Sequence, residues 1–242
     1  MPPLFLLELL GWRSSGVPNI ADSDSATSVA IASAILERLD VTKVSDLDPQ
    51  TAGRALERGV ERELHERLPP IASTRSWLVD HRRVVSDFDQ YEHLARLQNL
   101  IDADESGTLS VEIGRDYLIK PDVTVAIETG VGRPVLHAAV SCKWTIRSDR
   151  VQNIRHEGIV LTRHRRGRQP HIVTITPEPL PTRLAAIARG TGEIDAVYHP
   201  LFEELLAVAP AVATLQQRAV LNELVEQRRI LSFDRLLPTL AL

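Results

Sequence analysis

Val140-Ser141-Cys142-Lys143-Trp144-Thr145-Ile146-Arg147-Ser148-Asp149-Arg150 decides how this chain reads. The apolar lead-in Ala138-Ala139-Val140 predicts a strand, and the polar end predicts the mouth of a helix. Lys143 falls at the strand end, a poor place for a purely structural lysine. Arg147 and Arg150 flank Asp149 where the helix would begin, although helix starts favour negative charge. Two arginines there call for an anionic partner. One segment thus offers a lysine for chemistry and an arginine fork for recognition.

Working outward, the strand Val135 to Trp144 follows a tight connection, Thr129-Gly130-Val131-Gly132-Arg133-Pro134. Before it, Tyr117 to Ile127 alternates and is rich in Val and Ile, so it reads as a neighbouring strand, broken early by Pro121. A hairpin of this length brings Asp122 near Lys143. A carboxylate suits magnesium, and a lysine offsets phosphate charge or helps activate water. The bland alternative is a surface ion pair. The pattern varies the nuclease arrangement Pro-Asp … Asp/Glu-x-Lys, because Ser141 stands where the second acid would be. Glu157, on the helix predicted over Asp149 to Thr162 with Val151, Ile154 and Ile159 inward, is the candidate replacement.

Upstream, Ala52, Leu56, Val60, Leu64 and Leu68 recur every fourth residue and predict a buried helical stripe. Thr51 would cap this helix and Pro69-Pro70 would stop it. Glu57 and Glu61 lie one turn apart on its flank, where a solvated face is the simple reading. Pro3 to Leu10 reads as a packed helix, Gly11 to Ser28 as a loop, and Ala26 to Leu39 as a helix. Trp77 to Val85 reads as a strand and Asp87 to Ile101 as a helix. Further on come strands at His171 to Thr176 and Ile194 to Val197, a helix at Arg183 to Ala188, and a mostly helical stretch from Pro200 to Leu237.

The 242 residues suffice for one α/β domain, residues 1–242, with a full core. Net charge is −4, so the chain lacks the overall basicity of many nucleic-acid binders, but local patches are what meet phosphates. The basic run Arg163 to Arg168 reads as phosphate-contacting or as a solvated loop. One cysteine, Cys142, excludes an intrachain disulfide and fits a reducing compartment. Glu8 interrupts the apolar start, no basic segment precedes it, and no apolar run reaches the ~20 residues of a membrane span. The expectation is a cytoplasmic prokaryotic protein without a membrane partner. His137, His156, His171 and His199 lack a zinc spacing, and Trp12, Trp77 and Trp144 read as core or interface.

The run Ser141 to Arg150, with Gln152-Asn153 and Glu157-Gly158 after it, resembles the NgoMIV-type restriction endonucleases, a PD-(D/E)xK-variant family reading CCGG-containing sites. Gln50-Thr51-Ala52-Gly53 with Leu56-Glu57, Tyr117 to Asp122, Pro170 to Val173, and Gly190 to Asp195 with Val197-Tyr198-His199 extend the resemblance over nearly the whole chain. It implies a restriction-endonuclease-like α/β fold with a central mixed β-sheet flanked by helices. It implies magnesium held by Asp122, the Cys142 backbone carbonyl and Glu157, with Lys143 at the scissile phosphate and Glu57 as a supporting acid. Arg147, Asp149 and Arg150 would read bases in the major groove and Gln50 in the minor groove. Ser141, Asp22 and Arg183 complete the implied DNA contacts, with GCCGGC as the favoured target. Asp24 stands where the family pattern has Ser. The implied reaction is hydrolysis of double-stranded DNA leaving 5′-phosphates. Rival readings are a decayed relative that binds without cutting, and a repair or RNA-processing nuclease of the same fold. The family enzyme carries a long insertion where this chain has only Glu128 to Pro134, and that insertion helps two dimers pair back to back. A homodimer on a palindromic site, rather than a tetramer, is therefore expected.

Overall fold

A computed structural model describes the chain apart from Arg115, Arg147 and Thr191 and the side chains of Ser148, Asp149 and Arg150. Six strands form one sheet in chain order: β1 (Trp77–Asp80), β2 (Val123–Ile127), β3 (Val135–Cys142), β4 (His171–Ile175), β5 (Ala196–His199) and β6 (Ile230–Ser232). β1, β2 and β3 pair antiparallel, while β3 through β6 run parallel, so the sheet is mixed as expected. The tight turn between β2 and β3 permits only an antiparallel pair. Each later strand is reached through helix: α6 (Ser148–His164), α7 (Pro181–Ala188), then α8 (Phe202–Val212) and α9 (Leu215–Glu226).

Helices cover both faces. One core joins α1 (Leu4–Leu7), α2 (Ala26–Arg38), α3 (Pro49–Ile71) and α10 (Leu236–Ala241) to Val123, Val125, Val140, Val173 and Val197. The other packs Phe88, Tyr91 and Leu94, the last on α4 (Glu92–Asp102), with Leu161 against Ala126, Leu136 and Ile172. Central strands buried on both faces read as apolar runs, which is why β3 was plain in the sequence.

α3 shows how the stripe becomes structure. Leu56, Val60, Leu64 and Leu68 are fully buried, worth roughly 6–12 kcal/mol of gross hydrophobic stabilisation. Gly59 completes the stripe because a Cβ there would lie 2.2 Å from the Phe5 ring. The helix begins earlier than expected. Asp48, not Thr51, is the cap, and its carboxylate accepts the Gln50 and Thr51 amides at 3.0 Å each. Pro69 and Pro70 do not stop the helix, which continues to Ile71. They stand exposed in its final turn, and the helix runs only to Ile71 beyond them.

Other expectations shift at the ends. The first strand stops at Asp80, and the second begins only at Val123, after Pro121. Tyr117 and Ile119 instead bury their side chains in the second core. Two short 3-10 turns precede α4, and a further helix, α5 (Thr108–Ile113), follows it. α1 is a single turn, with Phe5 and Leu6 buried. Ile159 faces solvent, and Ile154, Gly158, Val160 and Leu161 are the buried residues among those described on α6. β6 interrupts the helical C-terminal stretch. Among the described residues, no helix is long and apolar enough to cross a membrane.

Candidate active site at the strand ends

Asp122 immediately precedes β2 and Lys143 immediately follows β3, so antiparallel pairing sets them side by side. The Asp122 carboxylate accepts the Cys142 amide at 2.7 Å and the Lys143 ammonium at 2.5 Å. The Lys143 amide in turn donates to the Ile175 carbonyl at 2.9 Å, fixing the strand end against β4. Both side chains are mostly buried, at 18% and 22% exposure, so this is not a simple surface ion pair. Burial opposes the lysine charge, but Asp122 more than offsets it and holds the Lys143 pKa above its ordinary value. The ammonium therefore stays charged at neutral pH.

Two further acids face this pair. Glu157 on α6 accepts the Ser141 hydroxyl, which ties this acid to the strand end two residues before Lys143. Burial lifts the Glu157 pKa to about 7, with Lys143 opposing and Asp122 reinforcing. Glu57 on α3 is also raised, by burial first and then by Asp122. Glu57 and Asp122 line a cavity of about 320 Å³ with Arg54, Arg58, His81 and Lys120. Asp122 raises the proton affinity of both Glu57 and Glu157, and the three carboxylates form a hard-oxygen set beside Lys143. That donor set fits magnesium. Cys142 is buried, and burial pushes its thiol pKa well up, so it cannot act as a nucleophile.

Beside this cavity, Glu61, Asp80 and His81 bring ligand atoms within 4.8 Å of one another. His81 Nδ1 lies 2.8 Å from both Glu61 carboxylate oxygens. Glu61 thus belongs to a mixed cluster rather than to a solvated face.

The implied recognition residues divide. Arg147 and the side chains of Asp149 and Arg150 lie outside the described residues, and α6, which carries Asp149 and Arg150, begins at Ser148. Gln50 is exposed in the first turn of α3. Asp22 and Arg183 come together as an ion pair at the same end of the sheet as Lys143. The loop carrying Asp22 is tied there by Trp144, whose indole donates to the Asn19 carbonyl at 2.9 Å. Asp22, Asp24, Gln152, Thr182 and Arg183 line a cavity of about 700 Å³. The Arg163 to Arg168 run precedes β4, whose first residue pairs with Ala138, so it emerges at the opposite end of the sheet from Lys143.

Several site residues escaped sequence reasoning. Glu178 is fully buried beneath Arg183 and accepts the Ile146 and Leu180 amides at 3.1 and 3.2 Å. Its signal was a lone acid between prolines at the end of an apolar strand. Arg54, Arg58 and His81 had no signal beyond charge.

Acids and a lysine at adjacent strand ends of a mixed sheet, with a helix behind each supporting acid, define a restriction-endonuclease-like domain. Residues 9–131 and 127–241 match the family described as NgoMIV restriction enzyme. The chain belongs to that family. It is 37% identical to the type II restriction enzyme NgoMIV of Neisseria gonorrhoeae, over 81% of this chain and 80% of the relative.

Proposed function

We propose that this chain, acting as one catalytic and recognition unit over residues 1–242, is a type II restriction endonuclease. It hydrolyses double-stranded DNA at a palindromic CCGG-containing site, with GCCGGC the favoured target, and leaves 5′-phosphates. The observation that carries this reading is the cluster of Asp122, Glu157 and Glu57 around a charged Lys143, open to a cavity, in a chain of this family.

Asp122, Glu157 and the Cys142 carbonyl would hold magnesium, and Glu57 would support it from across the cavity. The ion supplies charge to offset the phosphate and polarise water. Lys143 remains protonated, so its role is to offset charge growing on the scissile phosphate rather than to abstract a proton. Asp122 orients that ammonium and fixes the strand end through the Cys142 amide. The raised pKa of Glu157 reflects burial beside Asp122, and a bound cation would favour its ionised form.

Arg147 and Arg150 would read guanines and Asp149 a cytosine amine, with Gln50, Ser141, Asp22 and Arg183 as further contacts. The β2–β3 turn lies at the far end of the hairpin from Asp122 and Lys143. Its shortness removes a back-facing contact surface without touching the site, which supports a homodimer that cuts one site.

The test is digestion, with magnesium, of plasmids carrying one, two or no GCCGGC sites. Equal rates on one and two sites are expected, with none cut where the site is absent. Site-specific binding without cutting of any plasmid would overturn the endonuclease reading. Cutting of the two-site plasmid alone would overturn the dimer.

A further inference from the structure

Gln50 begins a row along α3 that continues at four-residue intervals through Arg54, Arg58 and Arg62. Positions four apart stack on one helical face. All three arginines are exposed. They rise about 6 Å per step and span about 12 Å of helix. Arg54 and Arg58 line the catalytic cavity, and all three line the adjoining groove of about 370 Å³, with Phe5, Glu8 and Leu9 opposite. The groove is thus continuous with the place where the scissile phosphate would sit.

Like charges stacked four apart repel, and a helix ordinarily relieves this with acids at the same spacing. Glu66, four residues beyond Arg62, closes the row at its far end, and the other nearby acids are committed elsewhere. Glu57 faces the catalytic cavity, Glu61 holds His81, and Glu63 holds Arg67. Among the described residues, none of the three arginines has an ion pair. Glu8 contributes the opposing charge in the groove wall. Three guanidiniums in register, none held in an ion pair although Glu57 lies near Arg54, lead out of a nuclease cavity and match the chemistry of successive phosphates on one strand.

We propose that Arg54, Arg58 and Arg62 form a phosphate rail that grips the DNA backbone leading away from the scissile phosphate. The rail supplies affinity for any duplex and no sequence discrimination. It rests on the endonuclease reading above.

The test uses the full chain carrying Arg58→Gln and Arg62→Gln together, both exposed and both replaced by a good helix former. Binding to a GCCGGC duplex and to a scrambled duplex is followed by fluorescence anisotropy, with calcium in place of magnesium, between 50 and 200 mM salt. The plot of log affinity against log salt should flatten by roughly 0.9 per arginine, about 1.8 for the pair. Both duplexes should weaken by the same factor, leaving their ratio unchanged. If the parent binds and the double variant keeps its slope, the rail is wrong and the endonuclease reading stands. A loss confined to the GCCGGC duplex would make these residues base readers and overturn the rail. A parent that binds neither duplex would bring down the endonuclease reading and the rail with it.

Discussion

Asp122, Glu157 and Glu57 gather around Lys143, and Asp22 and Glu178 gather around Arg183, at the same end of one sheet. Burial lifts the lead glutamate of each group, Glu157 and Glu178, to about 7. Their surroundings differ. Glu178 accepts two backbone amides and lies 3.6 Å from an Arg183 guanidinium nitrogen, so the chain itself satisfies it. Glu157 has the Ser141 hydroxyl, while Lys143 is already held by Asp122, and Glu57 adds charge without adding donors. The lesson is that a raised carboxylate pKa alone does not mark chemistry. What marks it is charge the protein leaves uncompensated beside a cavity.

The comparison breaks first at Lys143. Lys143→Ala should lower the plasmid cutting rate by at least ~10²–10³-fold, the scale for losing one group that stabilises transition-state charge. Site-specific binding without magnesium should persist, because Arg147 and Arg150, the residues proposed to read guanine, are left in place. Cutting at the parental rate would remove Lys143 from the mechanism.

Glu178 should behave in the other way. Glu178→Ala leaves the buried Ile146 and Leu180 amides without their acceptor and removes the buried partner of Arg183. A loss of roughly 2–4 kcal/mol in urea unfolding is expected. Any fall in cutting should track the folded fraction. A variant as stable as the parent would mean that Glu178 is not a brace.

Gly158 sharpens the comparison from the side of α6. A Cβ there would meet the Glu193 carbonyl oxygen at 2.4 Å, a backbone atom that cannot step aside. Gly158→Ala must push α6 off its neighbour, at a cost of about 1–3 kcal/mol, and must move Glu157 with it. Cutting per folded molecule should fall by ~10-fold or more, since small misplacements of a reacting group are costly. Unchanged cutting by the folded fraction would show that Glu157 tolerates displacement.

Much of this frame was legible from local chemistry. The β2–β3 hairpin is a short-range object, with alternating strands, a Gly-Val-Gly turn and an acid and a lysine at its open end, and its register needs no distant contact. The Leu56 to Leu68 stripe announced α3 because burial of one face leaves a period in sequence. What stayed hidden depends on contacts from far along the chain. Glu178 shares Arg183 with Asp22, which lies far back in the chain, and no local pattern reports that. β6 is three residues at a sheet edge, too short for any period. Asp48 displaced Thr51 as cap because Pro49 fits the first helical position and lets the helix start early.

The smallest effect is in pH, and it separates the two glutamates most finely. Both hold a pKa near 7 when folded against an ordinary value of 4.5. The folded state therefore binds these protons more tightly than the unfolded chain does. That stabilisation is fully present below about 4.5 and is lost as pH rises through 7. Without divalent metal, the two glutamates pull the melting temperature down between pH 5 and pH 8, against buried His137 and His199, whose pKa values of about 4 pull it up, so the comparison with a variant isolates Glu157. Glu157→Gln carries no such proton, so its stability relative to the parent should grow across that window, by on the order of 1–2 kcal/mol. Glu178 stays in the variant and keeps part of the slope. Magnesium at pH 8 should restore the parent far more than the variant, because the cation replaces the lost proton at Glu157 and has no access to Glu178. Parallel melting curves for parent and variant would place the titrating proton on another group and leave Glu157 outside the uncompensated set.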